Sequence, residues 1–150
     1  MLRCIFSGLS CVLLTGAAVA GADERPAIGA KIGELRFKDI RFVPRSLQDF
    51  GEKKAYVVVA VGAGRPEAAR AVGVVEPLQK KYAGQGTQCL YLDVDPTDSI
   101  REMAAQAVEL DAEAPFVMDL GGAGGKALGL SQISEAVVLD GAHRLRYRGG

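Results

Sequence analysis

Apolar residues along this chain fall into short runs separated by glycine, proline and acidic breaks, and the spacing within each run indicates the element it forms. In ELRFKDIRFV, residues 34 to 43, Leu35 and Phe37 and then Ile40 and Phe42 follow an imperfect period of two, which predicts one or two short strands closed by Pro44. SLQDFGEKK reads as a single turn and a loop. AYVVVAV, residues 55 to 61, is a continuous β-branched run of the kind found in a strand covered on both faces. From Pro66 the period changes: Ala68, Ala71, Val72, Val75, Leu78 and Tyr82 recur at helical spacing, with Pro66 suited to a first turn, Gly84 to a stop and Pro77 to a kink.

The alternation continues to the end of the chain. TQCLYLDV, residues 87 to 94, is a second buried strand, and DPTDSIREMAAQAVELDA opens a helix capped by Asp98 or Ser99. PFVMDL predicts a short strand, GGAGGKALGL a glycine-rich turn with a brief helix, and EAVVLD and HRLRYRG two strands joined through the Asp140-Gly141 turn. Helices placed between strands of one sheet give the α/β class.

The first residues follow a different pattern. MLRCIFSGLSCVLLTGAAVAGADERP has one early cation, Arg3, an apolar stretch over residues 10 to 19 and an Ala-Val-Ala triplet, which predicts a secretory signal over residues 1 to 20 cleaved after Ala20, with Ala22 as the alternative. The stretch is short of the roughly 20 residues that cross a bilayer, so no stable membrane span is expected after cleavage. Cys11 has Gly8 three residues before it, where a lipoprotein signal carries Leu. Residues 21 to 33 are small, polar and glycine-punctuated, as in a flexible leader, and residues 34 to 150 form one domain. An exported domain, periplasmic or extracellular, is the expectation.

Composition narrows the chemistry. Eighteen Lys and Arg balance 18 Asp and Glu, so there is no electrostatic footprint for nucleic acid or for an anionic membrane. Cys4 and Cys11 fall within the signal, which leaves Cys89 without an intramolecular disulfide partner. One His and one Cys without paired spacing do not build a zinc or iron site, and no cofactor is expected. The trio Asp93, Asp95 and Asp98 reads as a solvated loop with a capping acid, because Pro96 follows and no Glu closes a calcium loop.

Two glycine turns invite nucleotide readings. Residues 62 to 67 follow a buried strand, and Gly62 and Gly64 fit a dinucleotide turn, but Glu67 stands where that turn needs Gly or Ala. Asp93 could imitate the ribose-binding acid, so dinucleotide binding stays as a weaker alternative. In GGAGGKAL, Leu120 stands where a phosphate loop needs its first Gly, and no Ser or Thr follows Lys126.

Three segments in order, IGELRFKDIRFVPRSLQDF, VVVAVGAGRPEAAR through KKYAGQGTQCLYLDVDPTDS, and KALGLSQISEAVVLDGAHRLRYRGG, resemble the thioredoxin-like redoxins, the group of alkyl hydroperoxide reductase/thiol-specific antioxidant proteins and secreted thiol-disulfide oxidoreductases. Leu139, Asp140, Gly141, Leu145, Tyr147, Arg148 and Gly149 match the family's closing pattern. The resemblance implies a thioredoxin-like fold, a central mixed sheet flanked by helices. It also implies a terminal helix after the last hairpin, which has no counterpart before Gly150, so one sheet face should be less covered or be taken by a protein partner.

At the positions that carry the family's chemistry the residues differ. The resemblance puts the nucleophilic cysteine at Arg65, its following proline at Pro66, the second cysteine at Ala68 and the cis-proline at Ser134. Arginine and alanine offer no thiolate. The leading expectation is a redoxin-like domain that has lost its catalytic cysteines and serves as a binding or structural module. The alternative is thiol-disulfide oxidoreductase or peroxiredoxin-like activity through Cys89 or a partner, although a cysteine within TQCLYLDV reads as a small buried hydrophobe. His143 reads as a solvated turn residue. Arg144, Arg146 and Arg148 alternate along one strand and should share a face.

Overall fold

The computed structural model describes residues 25–150; the expected signal over residues 1 to 20 and the start of the leader lie outside the described residues. Seven strands form one mixed sheet: β1 (Arg36–Asp39), β2 (Pro44–Ser46), β3 (Ala55–Val61), β4 (Thr87–Asp93), β5 (Phe116–Asp119), β6 (Ala136–Asp140) and β7 (Leu145–Gly149). Their spatial order is β2-β1-β5-β4-β3-β6-β7. The β-branched run of β3 sits between β4, to which it is parallel, and β6, to which it is antiparallel. Both its edges are therefore paired and both its faces covered, as its uninterrupted apolar character requires.

Helices α1 (Pro66–Tyr82) and α2 (Ile100–Glu109) cover one face, over a core of Val59, Val61, Ala68, Val72, Val75, Tyr91, Met103 and Phe116. Burying Val72 or Val75 there stabilises the fold by about 1.5 to 3 kcal/mol each relative to exposure. On the other face Ile32, Leu35, Leu47, Leu128 and Leu130 pack on Tyr56, Val58, Leu90, Val137 and Leu139, with Leu128 supplied by the short α3 (Ala123–Leu128).

Several expectations are corrected. Pro44 opens β2 instead of closing the preceding strand, because residues 40 to 43 form a turn, and an edge strand tolerates a residue without an N–H. Pro77 lies inside the unbroken span of α1, and the stop comes not at Gly84 but at Gly86, whose left-handed φ of 89° ends a 3-10 turn. Leu78 is exposed while Glu76 is buried. The cap of α2 is Ser99, in a reciprocal box with Glu102 that satisfies both backbone N–H groups, which frees Asp98 for other contacts.

The described part of the leader is tied down. The Gly29 N–H donates to Leu145 O (2.6 Å), the Ile32 N–H to His143 O (2.9 Å), and the Leu145 N–H to Ala30 O (2.9 Å). A bulge at Val138/Leu139 interrupts the register of β6 with β7. The three arginines of β7 and the turn before it are engaged internally: Arg144 and Arg148 donate to the carbonyls of Gly29 and Pro26, and Arg146 to Asp140. On the α1 face, Val59, Ala71, Val74, Val75, Ala136 and Tyr147 line an open apolar groove of about 320 Å³.

Candidate functional site

Where β3 and β4 end side by side, two loops and the first turn of α1 converge. Val61 pairs with Asp93, so the turn at residues 62 to 65 lies against the turn at residues 94 to 99. Arg65 is the N-cap of α1, extended at φ −88° and ψ 131°, and Pro66 follows at the first helical position, where a missing N–H costs nothing. The guanidinium cannot accept from the helix, so it turns to the facing loop, where its Nη2 donates to Asp95 Oδ2 at 2.8 Å. The Asp95 carboxyl, held by the Thr97 hydroxyl and N–H and then by Arg65, falls to about 2.

A second clamp lies one turn back. Asp98 Oδ2 accepts the Ala63 N–H at 2.5 Å. Gly62 sits in a tight space: a Cβ would stand 3.0 Å from Ile133 Cδ1 and 3.5 Å from Asp98 Oδ2, so the Ile133 side chain would have to give way. Across the site, Ser134 adopts φ 73°, donates its N–H to Ala60 O (2.8 Å) and brings its Oγ to 3.5 Å from the Glu67 carbonyl. No cis peptide bond occurs among the described residues. Ala68 is fully buried beneath this turn.

Under both clamps lies Asp93, only 1% exposed. Its Oδ1 accepts the Asp95 N–H (3.1 Å), while its Oδ2 has no partner. Burial pushes this carboxyl up to about 7, and the Asp98 and Asp95 carboxylates add repulsion. The sequence marked Asp93 as a strand-ending acid but not as a buried one, because only the tertiary fold closes the strand end off from water.

Structure thus brings Arg65, Pro66, Ala68 and Ser134 to one place and keeps Cys89 away from it. Cys89 pairs with Val57, four residues back along β4 from Asp93, or about 13 Å at strand rise. It is completely buried, and burial, reinforced by Glu76, raises its thiol to about 11. His143 lies at the opposite end of the sheet, half-buried in the hairpin turn with its ring edge-on to Tyr56 at 5.4 Å. Sequence reasoning missed Glu76, whose carboxylate accepts from the Tyr91 hydroxyl (2.9 Å) and from the Glu113 and Ala114 N–H groups. A charged residue at a position facing the sheet, four after Val72, was the available signal.

The nucleotide readings meet physical obstacles. The Ala63 N–H that a pyrophosphate would use is taken by the Asp98 carboxylate. In the second glycine turn the Asp119 carboxylate accepts from the Gly124 and Gly125 N–H groups (2.8 and 2.7 Å), filling the place of an external anion. Among the described residues no group of three or more His, Cys, Asp or Glu is arranged to hold a metal ion.

No protein-family model matches the chain, and no curated protein does. Solved structures, in contrast, superimpose over most of it. A hypothetical protein from Sinorhizobium meliloti 1021 matches with a TM-score of 0.75 at 18% identity, over 83% of this chain and 71% of that one. The thioredoxin domain of a thiol-disulfide oxidoreductase from Bacteroides vulgatus matches with a TM-score of 0.71 at 12% identity, over 83% and 89%. This chain has the thioredoxin fold. Peroxidoxin BcpB from Mycobacterium tuberculosis is a further thioredoxin-fold neighbour, with a TM-score of 0.69 at 17% identity over 82% and 84%. These identities carry the fold and not the activity, so the chemistry of this thioredoxin-fold chain rests on its own residues.

Proposed function

We propose that this chain is an exported thioredoxin-fold module that does no thiol chemistry and acts by binding or as a structural unit. The observation that carries the reading is the first turn of α1, where a guanidinium locked to Asp95 and a buried alanine stand in place of an exposed thiol pair. A redox thiol in this fold works because a helix N-terminus and nearby cations expose a thiolate. At the corresponding turn Arg65 faces carboxylates and Ala68 faces the core. Ser134, which stands where the family has its cis-proline, turns its N–H inward to Ala60 and so differs from a backbone shape that receives extended peptides. Export rests on the sequence of residues 1 to 20.

The alternative, a single-thiol enzyme using Cys89, is opposed by that thiol's burial and raised pKa. The test is reduction of peroxide and of a disulfide substrate by the folded protein under excess dithiol, beside a Cys89→Ser variant. The expected result is background turnover in both. Turnover in the parent that vanishes in the variant would overturn the proposal.

A further inference from the structure

Two carboxyls at the end of β4 stand closer than two anions should. Asp93 is 1% exposed; its Oδ1 accepts the Asp95 N–H, while its Oδ2 meets no donor. The Asp98 side chain lies within hydrogen-bonding reach of Asp93, and its own Oδ2 accepts the Ala63 N–H. A buried oxygen without a donor is costly, and adjacent carboxylates repel. The neighbouring charges are committed elsewhere or add to the repulsion. Asp95 bears on Asp93 as a second anion and engages Arg65 at the start of α1, where Glu67 pairs with Arg70. Asp119, ending the adjacent β5, is turned onto the Gly124 and Gly125 N–H groups, and Glu102 of α2 onto Ser99. Glu135 accepts from the Ser131 and Gln132 N–H groups, and Lys126 of α3 shares a pocket with Val94 and Asp119 rather than with Asp93. A single proton removes both difficulties. Carried on Asp93 Oδ2, it makes the orphaned oxygen a hydroxyl and gives it the Asp98 carboxylate as acceptor, as in carboxyl pairs that titrate together.

We propose that Asp93 and Asp98 share this proton as a latch that ties the turn at residues 62 to 65 to the loop at residues 94 to 99, and that losing it to water as pH rises toward neutrality loosens the turn. Without the proton Asp93 is a buried anion beside a second one. Asp98, which is only half-buried, relieves the repulsion by moving out to solvent, and the Ala63 N–H loses its acceptor. The sign follows from linkage. The closed form releases the proton at about 7, an exposed aspartate at 3.8, so opening becomes easier as pH rises between these values and levels off above them. The candidate site is thus locked at acid pH and its first turn freed near neutrality. This device uses only the chain's own residues and does not rest on what the module binds.

The test is amide hydrogen exchange of the full chain, read by NMR at about pH 5 and about pH 7 and corrected for intrinsic rates. Protection of the Ala63 amide should fall by at least about tenfold over that range, within the tenfold per pH unit that one linked proton allows. In Asp93→Asn the side-chain amide donates to Asp98 and does not titrate, so protection should be equal at both pH values. Asp98→Ala removes the acceptor and should leave Ala63 at least about tenfold less protected than the parent at the acid pH. Dilute urea separates this opening from global unfolding: it should speed exchange of the β3 amides and leave Ala63 nearly unchanged, because a local opening exposes little surface. Parent protection that stays level between the two pH values, that falls equally in Asp93→Asn, or that responds to urea as β3 does, would overturn the proposal. Undiminished protection in Asp98→Ala would do the same.

Discussion

Asp93→Asn is the most informative single change at the site, because the buried carboxyl makes stability depend on pH with a definite sign. In the fold the group titrates at about 7 where its ordinary value is 3.8, chiefly because burial disfavours the anion. The folded state therefore holds this proton more tightly than the unfolded chain does. Between those two values the unfolded state binds fewer protons, and stability falls as pH rises. At about 1.4 kcal/mol per tenfold change in proton activity, the full window corresponds to about 4 kcal/mol of stability lost by the parent protein. Asparagine has the shape of the protonated acid, can accept the same Asp95 N–H and does not titrate. Urea unfolding of parent and variant across pH 4 to about 8 should show near-equal stability at the acid end and a variant advantage that grows toward the alkaline end. The difference between the two proteins is the quantity to follow, because carboxylates such as Asp95, lowered to about 2, contribute stability that is lost in the opposite direction, as pH falls. A difference that stays flat across the window, or that grows in the parent's favour as pH rises, would refute the account of Asp93.

Cys89 should resist alkylation in the native protein and react readily once the chain is unfolded in urea, as mass spectrometry would show, since both its burial and its raised pKa withhold the thiolate. Glu76→Gln should cost about 1 to 3 kcal/mol in urea unfolding, because the amide replaces a carboxylate that accepts from Tyr91, Glu113 and Ala114 together. Ser134→Pro should destabilise the protein by about 3 kcal/mol, since proline cannot reach φ 73° and has no N–H for Ala60 O, whereas Ser134→Gly should be neutral or slightly stabilising in the same thermal melts. Gly141→Ala should lower stability by about 1 to 3 kcal/mol, because the added Cβ would meet the Lys53 carbonyl at 2.6 Å, and calorimetry would register it.

The sequence by itself determined the order of elements and the class of fold. AYVVVAV and TQCLYLDV fall on β3 and β4 because a β-branched run without alternation is stable only where both faces are covered, and the change to helical spacing at Pro66 marks the start of α1. It also determined what chemistry is absent from the first turn of α1, since Arg65 and Ala68 carry no thiol in any conformation. Tertiary structure alone decided how charge is distributed around that turn. Asp93, Asp95 and Asp98 look alike in the chain as three acids of one loop. Packing left Asp93 buried with an unpartnered oxygen, paired Asp95 with Arg65 and turned Asp98 onto the Ala63 N–H. Local pattern could not separate them, because burial and pairing depend on which loops a parallel register sets side by side. The same holds for ELRFKDIRFV, whose period of two spans a strand and the turn after it: Phe37 is buried in the core with its ring stacked on Phe50 at 6.2 Å, while Phe42 stays in solvent.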